Sequence, residues 1–461
     1  MNEPLDRDAY ADGFARALAT MADQPSWLNS ARRMAFSSFI DYGWPTTKDE
    51  DWRFTDVSPL TRMLLLPRPP AEEIALDGAD AFDTRLLAVG ATSHHRLVFV
   101  DGHYHRQLSE RQQHELGDGL VVAPLSATLA RDEIPAARVL GQLLRDQTAF
   151  ISLNTAFMTD GAWVRIPAGL VVDEPIVLVY LASSGQSSSF PRTVVLAGEN
   201  SQATIVELHL GADGAITTAN AATEIVLESR AKLRHMTLQK AAPTAFHLSH
   251  LAVEQKTESE FSARSLSLGG RLVRNDVHAL LAEEGCVCNL DGLYLAAGTN
   301  VVDNHTTIDH RAPRSTSREI YRGVAQGRSR AVFSGRIVIR PGAQQTDARQ
   351  TNRNLVLSDG ATVHTKPFLE IFANDVKCSH GATTGRLDAD ALFYLRSRGI
   401  GEKEAAQILI RAFMTESLDG IEPTSLRSEI ETAIASTIAD LAAQDEKDEK
   451  DERHDGSQPA R

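Results

Sequence analysis

The sequence predicts a mainly β protein in which a long central run of strands lies between helical segments. From about residue 151 to 385, short runs such as TVVLAG, ATIVELHL and RIVIRPG alternate apolar and polar residues, which is the period of a half-buried strand. Each run is bounded by Gly, Asn, Asp or Ser, and no helical pattern intervenes. Towards both ends of the chain, apolar residues instead recur at helical spacing.

The part before this core is predicted to contain a helical region, residues 1–60, and a small mixed α/β segment, residues 61–150. In the first, Ser26 is a candidate cap of a helix that ends at Gly43. In the second, HRLVFVDGHYHRQLS is typical of two short strands that turn at Asp-Gly.

The predicted β core covers residues 151–385. Roughly 230 residues of closely spaced strands is long for one sandwich. A barrel, tandem sandwiches and a β-solenoid all stay open, because the strands show no clean repeat period.

Helices are predicted again in residues 386–443, a C-terminal helical domain. Asp388 is a candidate cap and Gly399 a stop for its first helix. The apolar stripes of the later helices are expected to pack within the chain. Residues 444–461 carry many charges and almost no apolar side chains, which predicts a disordered tail.

Composition and charge exclude several classes of function. The 461 residues are 42% hydrophobic and 23% charged, as expected of a folded, soluble protein. The 47 basic and 61 acidic residues give a net charge of −14, which disfavours nucleic acid as a partner. The N-terminal stretch lacks the pattern of a signal peptide, and no run of about 18 apolar residues occurs. We therefore expect a cytoplasmic protein without a membrane segment.

Common enzyme signatures are missing from the sequence. The dipeptide Gly-Lys does not occur, so there is no Walker A loop, and G-x-S-x-G, H-E-x-x-H and C-x-x-C do not occur either. We expect that this chain binds no nucleotide and that any nucleotide hydrolysis behind its work takes place in another subunit.

The 3 cysteines are too few, and odd in number, for a disulfide framework, so free thiols are expected. Cys286 and Cys288 lie two positions apart, which places both on one face of a strand. Small buried core residues are the favoured interpretation of this pair, ahead of metal or redox use.

The stretch NDVKCSHGATTG contains the most distinctive candidate site, Cys378 and His380. At a strand end their side chains share one face with Cα atoms about 6 to 7 Å apart, so one metal ion can reach both. A thiolate with an imidazole suits zinc, or iron in an iron–sulfur setting. Two ligands do not close a site, and on the residues alone a structural role is favoured. His364 is a further candidate ligand.

Other candidates have ordinary structural explanations. His305 and His310 are expected to be hydrogen-bonded structural groups. Asp347, Asp359 and Asp375 could form the acidic cluster of a sugar-acting β-solenoid enzyme, and turn chemistry is the favoured explanation for them.

The chain resembles one known family over most of its length. VVDNHTTIDHRAPRSTSREIYRGV, GRSRAVFSGRIVIRPGAQQTDARQTNRNLVLSDGATVHTKPFLEIFANDVKCSHGATTG and ALFYLRSRGI are similar to the SufB/SufD family of the SUF iron–sulfur cluster assembly system. GWPTTKDEDWRFTDV, RLVFVDG and LNTAFMTDGAWVRIPAGLVVDEPIVL extend the resemblance upstream. The form DVKCSHGATTG, followed by LFYLRSRGI, and the small number of cysteines resemble the SufD branch.

The resemblance implies a right-handed parallel β-helix flanked by N-terminal and C-terminal helical domains. It also implies a non-catalytic scaffold that pairs with a SufB-like paralogue through the end of the β-helix. A SufC-like ABC-type ATPase would bind the C-terminal helices, and a cysteine desulfurase system would deliver sulfur indirectly. His380, in the C-S-H motif, would lie at the paralogue interface beside a transient iron–sulfur cluster, with Cys378 as its neighbour.

Alternatives stay open beside this interpretation. One is a β-solenoid interaction module without a metal role, and another is a carbohydrate-acting β-solenoid enzyme. A homodimer of the isolated chain and a reduced flavin in the complex also stay open.

Overall fold

A computed structural model of the chain describes residues 5–21, 24–68, 84–88, 93–109, 119–130, 139–144, 148–183, 186–212, 214–422 and 424–455. Within these ranges, β structure dominates the middle of the chain and helices lie before and after it.

The strands, numbered β1 to β20 in chain order within the described residues, are Arg96–Val100, His103–Tyr104, Val121–Pro124, Ala162–Ile166, Ile176–Ala182, Gln186–Ser189, Arg192–Ala197, Gln202–Gly211, Ile216–Leu227, Lys232–Lys240, Phe246–Gln255, Glu260–Ser267, Leu272–Leu281, Val287–Ala296, Val301–His310, Thr316–Ala325, Arg330–Ile339, Thr346–Val356, Thr362–Ile371 and Val376–Gly385. The α-helices, numbered α1 to α9 in the same way, are Arg7–Thr20, Ser26–Tyr42, Ser58–Thr61, Thr84–Leu87, Leu125–Ala130, Ala149–Phe157, Ala389–Ser397, Glu402–Thr415 and Thr424–Asp455.

The strands form two 10-stranded sheets between which the chain alternates. The first sheet has the order β2-β1-β5-β8-β10-β12-β14-β16-β18-β20, and the second has β19-β17-β15-β13-β11-β9-β7-β4-β3 with β6 beside β9. From β7 onward every pairing is parallel, so the chain winds as a β-solenoid of about 8 turns. The prediction of a mainly β fold with a parallel β-helix core and flanking helices is confirmed.

The turns of this β-helix differ in length. Leu272 of β13 lies 26 residues after its register partner Phe246, whereas Thr362 of β19 lies 32 residues after its partner Arg330. Unequal turns explain why the sequence shows no clean repeat period, because the same structural position recurs at a changing interval.

The interior of the β-helix is filled by side chains from alternate positions of both sheets. Phe261, Ile308 and Phe333 are each completely buried there. Burying a side chain of this size stabilises the fold by about 1.5–3 kcal/mol relative to leaving it exposed. The two-residue strand period therefore places one half of each strand in the core and leaves the other half to face helices or solvent.

The N-terminal helices cover the outer face of the second sheet. Phe14 of α1 stacks on Phe36 of α2 with ring centroids 4.2 Å apart, and Phe157 of α6 meets both rings edge-on. This cluster packs on Phe246 and Leu248 of β11.

Helix α2 begins at Ser26 after Pro25, without a side-chain cap, so the predicted capping role of Ser26 is wrong. Proline has a fixed φ that itself presets the entry of the chain into the helix.

A buried ion pair ties α6 to the second sheet. Arg192 donates to Glu224 at 2.6 Å, and both side chains are fully buried. Arg192 also donates to Asn154 of α6, and Glu224 accepts the backbone N–H of Gly141. Because these partners satisfy both charges, the pair fixes the position of α6 without leaving a buried charge uncompensated.

The C-terminal helices cover the outer face of the first sheet. Ile410 and Met414 of α8, with Ile430 and Ile434 of α9, form one buried cluster with apolar residues of that face, such as Leu238. The expected packing of these apolar stripes within the chain is confirmed. None of the helices that the structure describes is both long and apolar enough to cross a bilayer.

Two of the predicted segments contain structure that connects them to the β-helix or extends a helix. Strand β1 pairs with β5 and β3 pairs with β4, so the mixed segment 61–150 contributes strands to both sheets. Helix α9 continues to Asp455, into the segment 444–461 that was predicted to be disordered, and residues 456–461 lie outside the described residues. Glu and Lys are strong helix formers, and acidic residues precede basic ones by four positions in this segment, a spacing that favours helix.

Candidate functional site

The candidate site lies on the last strand of the β-helix. β20 is the final strand of the first sheet, and β19 is the final strand of the second. β20 pairs with β18, in a register that sets Cys378 beside Ala348 and His380 beside Gln350. Among the described residues no further strand pairs with β20, so its outer edge is available to another chain.

Cys378 and His380 occupy the face of β20 that continues the interior of the β-helix. Their register partners, Ala348 and Gln350, are both buried inside it. Cys378 is half-buried against the interior core, whereas His380 is exposed. Because they lie two positions apart on one strand, the two side chains are on the same face of β20.

The thiol of Cys378 is not activated by its surroundings in the free chain. Burial raises its pKa above the usual value of 9.0, an effect that a backbone hydrogen bond from Ala348 opposes and the charge of Asp347 increases. Cys378 is therefore a neutral thiol near pH 7 and must lose a proton before it can bind a metal ion.

The pair forms a half-site. In the part of the chain that the structure describes, no three His, Cys, Asp or Glu side chains lie together as a possible metal-ligand set. Cys378 and His380 can thus supply two ligands, while a closed tetrahedral site needs four.

The third candidate ligand, His364, is not part of this group. It lies on β19 in the other sheet, where its ring stacks on Phe54 with centroids 4.0 Å apart. Burial lowers the pKa of His364, with a smaller contribution from the charge of Arg330. The histidine therefore helps to hold the N-terminal segment against the second sheet.

The C-x-C pair is a core feature. Cys286 and Cys288 are both fully buried in the interior cluster of the β-helix. Burial raises the pKa of each thiol, most strongly that of Cys288. The interpretation of the pair as small core residues is confirmed.

The remaining histidine and aspartate candidates have local partners. His310 is buried and within hydrogen-bond distance of Ser317 Oγ at 3.0 Å, and burial lowers its pKa to about 4. His305 pairs with Asp303 at 3.0 Å.

Two of the three aspartates proposed for a sugar-acting site are held by arginines. Asp347 accepts from Arg318 at 3.0 Å, and Asp359 accepts from Arg386. Asp375 precedes β20, and its backbone N–H donates to Gln344 at 2.9 Å. These contacts assign the aspartates to turns and strand ends, as the structural interpretation predicted.

Behind His380, sequence reasoning missed two buried polar residues, Glu319 and Gln350. They occupy the inward positions of β16 and β18 that are in register with His380. The sequence alone indicates them only weakly, because the register of successive turns must be known before these residues can be recognised as neighbours of His380.

Large apolar side chains are exposed near the same end of the β-helix. Ile371 ends β19, Phe372 follows it, and α7 carries Phe393 and Tyr394. Phe393 is 73% exposed, a value unusual for an aromatic residue that serves only the fold. Helix α7 itself begins as predicted, with Asp388 accepting the backbone N–H groups of Asp390 and Ala391.

Fold and site together define a class: a parallel β-helix protein with a thiol–imidazole half-site on its terminal strand. Comparison with known proteins identifies the family. Residues 6–178 match the family model described as the SufBD protein N-terminal region, and residues 180–413 match the model described as the SufBD core domain of SUF system FeS cluster assembly.

Curated relatives agree with these family models. An iron–sulfur cluster assembly SufBD family protein of Synechocystis is 34% identical over 405 residues, which cover 85% of this chain and 87% of the relative. The iron–sulfur cluster assembly protein SufD of Escherichia coli is 29% identical over 400 residues, covering 86% of this chain and 90% of the relative. The chain belongs to the SufBD family of iron–sulfur cluster assembly proteins and is SufD-like, which confirms the resemblance seen in the sequence.

Proposed function

We propose that this chain is the SufD-like scaffold subunit of a cytoplasmic complex that assembles iron–sulfur clusters. It pairs with a SufB-like paralogue through the end of the β-helix and binds a SufC-like ATPase through its C-terminal helical domain. The chain has no turnover of its own. His380 takes part in forming the nascent cluster, and Cys378 is a second, weaker candidate ligand.

One observation carries the proposal: the half-site lies on a strand whose outer edge has no strand partner among the described residues. A second chain that adds to this edge would bring its own side chains next to His380, as in recognition by strand addition. The two ligands missing from a closed site can then come from that chain. The exposed position of His380 supports the same arrangement.

The C-terminal helices support the proposed ATPase contact. α8 and α9 bury one stripe against the first sheet, while residues such as Lys403, Arg411 and Ser428 remain exposed. Movement of a bound ATPase would then act on helices that are packed directly on the β-helix. A rigid-body change of this kind is a known way to open or close an interface between subunits.

The test is co-expression of His380→Ala with the SufB-like and SufC-like partners, followed by pull-down and measurement of iron and sulfide. We expect the complex to form normally, because His380 is exposed and contributes little to folding. We expect cluster yield to fall by at least about 10-fold, since a side chain next to the metal is lost.

The matched control is Ser379→Ala, which changes the adjacent exposed residue on the opposite face of β20. It should leave yield unchanged. A His380→Ala complex that assembles clusters at the normal rate would refute the role of His380. If Cys378→Ala also had no effect, the chain would be an interaction module without a metal role.

A further inference from the structure

A column of three inward-facing side chains leads from the interior of the β-helix to the candidate site. Glu319 on β16, Gln350 on β18 and His380 on β20 are successive register partners. Neighbouring strands lie about 4.8 Å apart, so each side chain stands directly beside the next. Glu319 and Gln350 are 0% and 1% exposed, whereas His380 is open to solvent.

The inner two residues are joined by a short hydrogen bond. Gln350 Nε2 donates to Glu319 Oε2 at 2.6 Å. The amide therefore presents its NH₂ group, which is a donor, to the carboxyl group of Glu319. The amide oxygen, Gln350 Oε1, takes no part in this hydrogen bond.

Gln350 Oε1 is buried and has no hydrogen-bond partner in the part of the chain that the structure describes. A buried polar atom left without a partner destabilises the fold. The neighbouring inward position on the outer side of β18 belongs to His380. The oxygen is therefore an unused acceptor on the residue that is in register with His380.

The position of Gln350 is also fixed from the facing sheet. A Cβ atom at Gly335 of β17 would lie 2.1 Å from Gln350 Nε2, a distance that real contacts do not reach. Any residue other than glycine at position 335 would push the amide out of its place. Glu319 and the space above Gly335 thus define one position for the Gln350 side chain.

A metal-binding histidine needs such an acceptor. When one ring nitrogen binds a metal, the other carries a hydrogen and almost always donates it to a carboxylate, a carbonyl group or water. That hydrogen bond fixes the orientation of the ring and increases the basicity of the ligand. Gln350 Oε1 is a buried acceptor of this kind, on the register neighbour of His380.

We propose that Gln350 is a positioning residue for His380: its Oε1 accepts the hydrogen of the ring nitrogen that faces away from the nascent cluster, and Glu319 holds the amide in that orientation. This inference rests on the proposed function, in which His380 is next to the cluster. Neither Glu319 nor Gln350 touches the cluster.

The test uses Gln350→Met in the complex with the SufB-like and SufC-like partners. Methionine has a similar length but lacks the oxygen acceptor. We expect the initial rate of cluster assembly to fall by about 10-fold, the lower end of the effect of removing such a partner. Arg349→Gln, on the opposite face of the same strand, is the control and should leave the rate unchanged. Thermal unfolding and pull-down of each variant check folding and assembly.

Two further variants separate positioning from a structural role. In a His380→Ala background, Gln350→Met should cause no further loss, because Gln350 acts through His380. The exchanged pair Glu319→Gln with Gln350→Glu keeps a hydrogen bond between the two positions and restores an acceptor at position 350. It should recover the rate to within about 3-fold of the unmodified complex, a residual cost under 1 kcal/mol.

Two results would overturn the inference. One is a normal rate for Gln350→Met. The other is a loss of similar size with and without His380, which would show a structural effect on the end of the β-helix. The proposed function has its own test in His380→Ala alone, so a large loss there with no effect of Gln350→Met rejects only the positioning role.

Discussion

The three cysteines differ in what surrounds each sulfur. Cys286 and Cys288 are fully buried in the core, and Cys378 is half-buried on the terminal strand. Burial raises the pKa of all three thiols above the usual value. The rate at which each cysteine reacts with an alkylating reagent therefore depends on its exposure, because none of the three thiols has a lowered pKa.

We expect Cys378 to react with iodoacetamide at least about 10-fold faster than Cys286 and Cys288 in the folded chain, because the buried pair reacts only when the β-helix opens. Because the pKa of Cys378 is raised, its rate of alkylation should still increase as the pH rises through 9. Mass spectrometry of the labelled peptides measures both effects. Equal labelling of all three residues without denaturant would contradict the expectation, and equal labelling in denaturant is the control.

Residue types alone identified part of the site. The C-S-H spacing placed Cys378 and His380 on one face, and free cysteines at positions 286 and 288 were expected to be buried. His364 was a candidate only through its type, and its place against Phe54 depends on contacts between distant segments. Glu319 and Gln350 were missed for a related reason, since their contact with the site depends on the register of three successive turns.

At the level of elements, small residues make room for large ones on neighbouring turns. Gly292 of β14 is buried, and its register partner on β16 is Tyr321, which is 2% exposed. A Cβ atom at Gly292 would lie 2.2 Å from the Tyr321 ring. The tyrosine can lie flat across the interior only because the adjacent turn has no side chain at that place.

We therefore expect Gly292→Ala to lower the free energy of unfolding by about 1–3 kcal/mol, the usual cost of overpacking a core. Gly381→Ala on β20 is the matched control, because a Cβ atom there would meet nothing within 4 Å. The control should leave stability unchanged or slightly increased, since alanine restricts the unfolded chain. Chemical denaturation of both variants measures the difference, and equal stabilities would contradict the packing argument.

The strands themselves were predictable, whereas their arrangement was not. Alternating runs bounded by turn residues predicted β structure from residue 151, and the structure has helix α6 at Ala149–Phe157 before the strands from β4 to β20. The spacing between register partners varies from 26 to 32 residues, so periodicity could not distinguish a solenoid from sandwiches or a barrel. The family resemblance supplied the β-helix, and the structure confirms it. Ser26 makes no capping hydrogen bond, and Pro25 is the N-cap residue of helix α2. Here the proline indicated the start of the helix better than the serine that follows it.

The molecule as a whole has two differently protected ends. At the N-terminal end, β2 forms an antiparallel pair with β1 and β3 with β4. Leu28 of α2 and Leu125 of α5 form a buried cluster with Trp163 of β4. At the other end, β19 and β20 are the last strands of their sheets. Unpaired strand edges invite pairing with another chain. The half-site is thus located at a strand edge that is open to pairing with another chain.

This asymmetry has a consequence for the isolated chain. Without its paralogue, we expect the chain to form a homodimer through the β20 edge, with two copies of the strand running antiparallel about a two-fold axis. Adding the SufB-like partner should dissociate this homodimer, because the proposed heterodimer would use the same edge. Light scattering coupled to size-exclusion chromatography measures the mass before and after the addition.

The double variant Ser379→Lys with Thr383→Lys tests which surface is used. Both side chains are exposed on β20, and in a two-fold dimer the added charges would lie close to their copies and repel them. We expect the variant to shift the isolated chain towards monomer by at least about 10-fold in dissociation constant, which corresponds to 1.4 kcal/mol. The same two changes on α9, Ser428→Lys with Thr432→Lys, are also exposed and should have no such effect. A dimer that persists in the β20 variant and dissociates in the α9 variant would instead place self-association on the C-terminal helices.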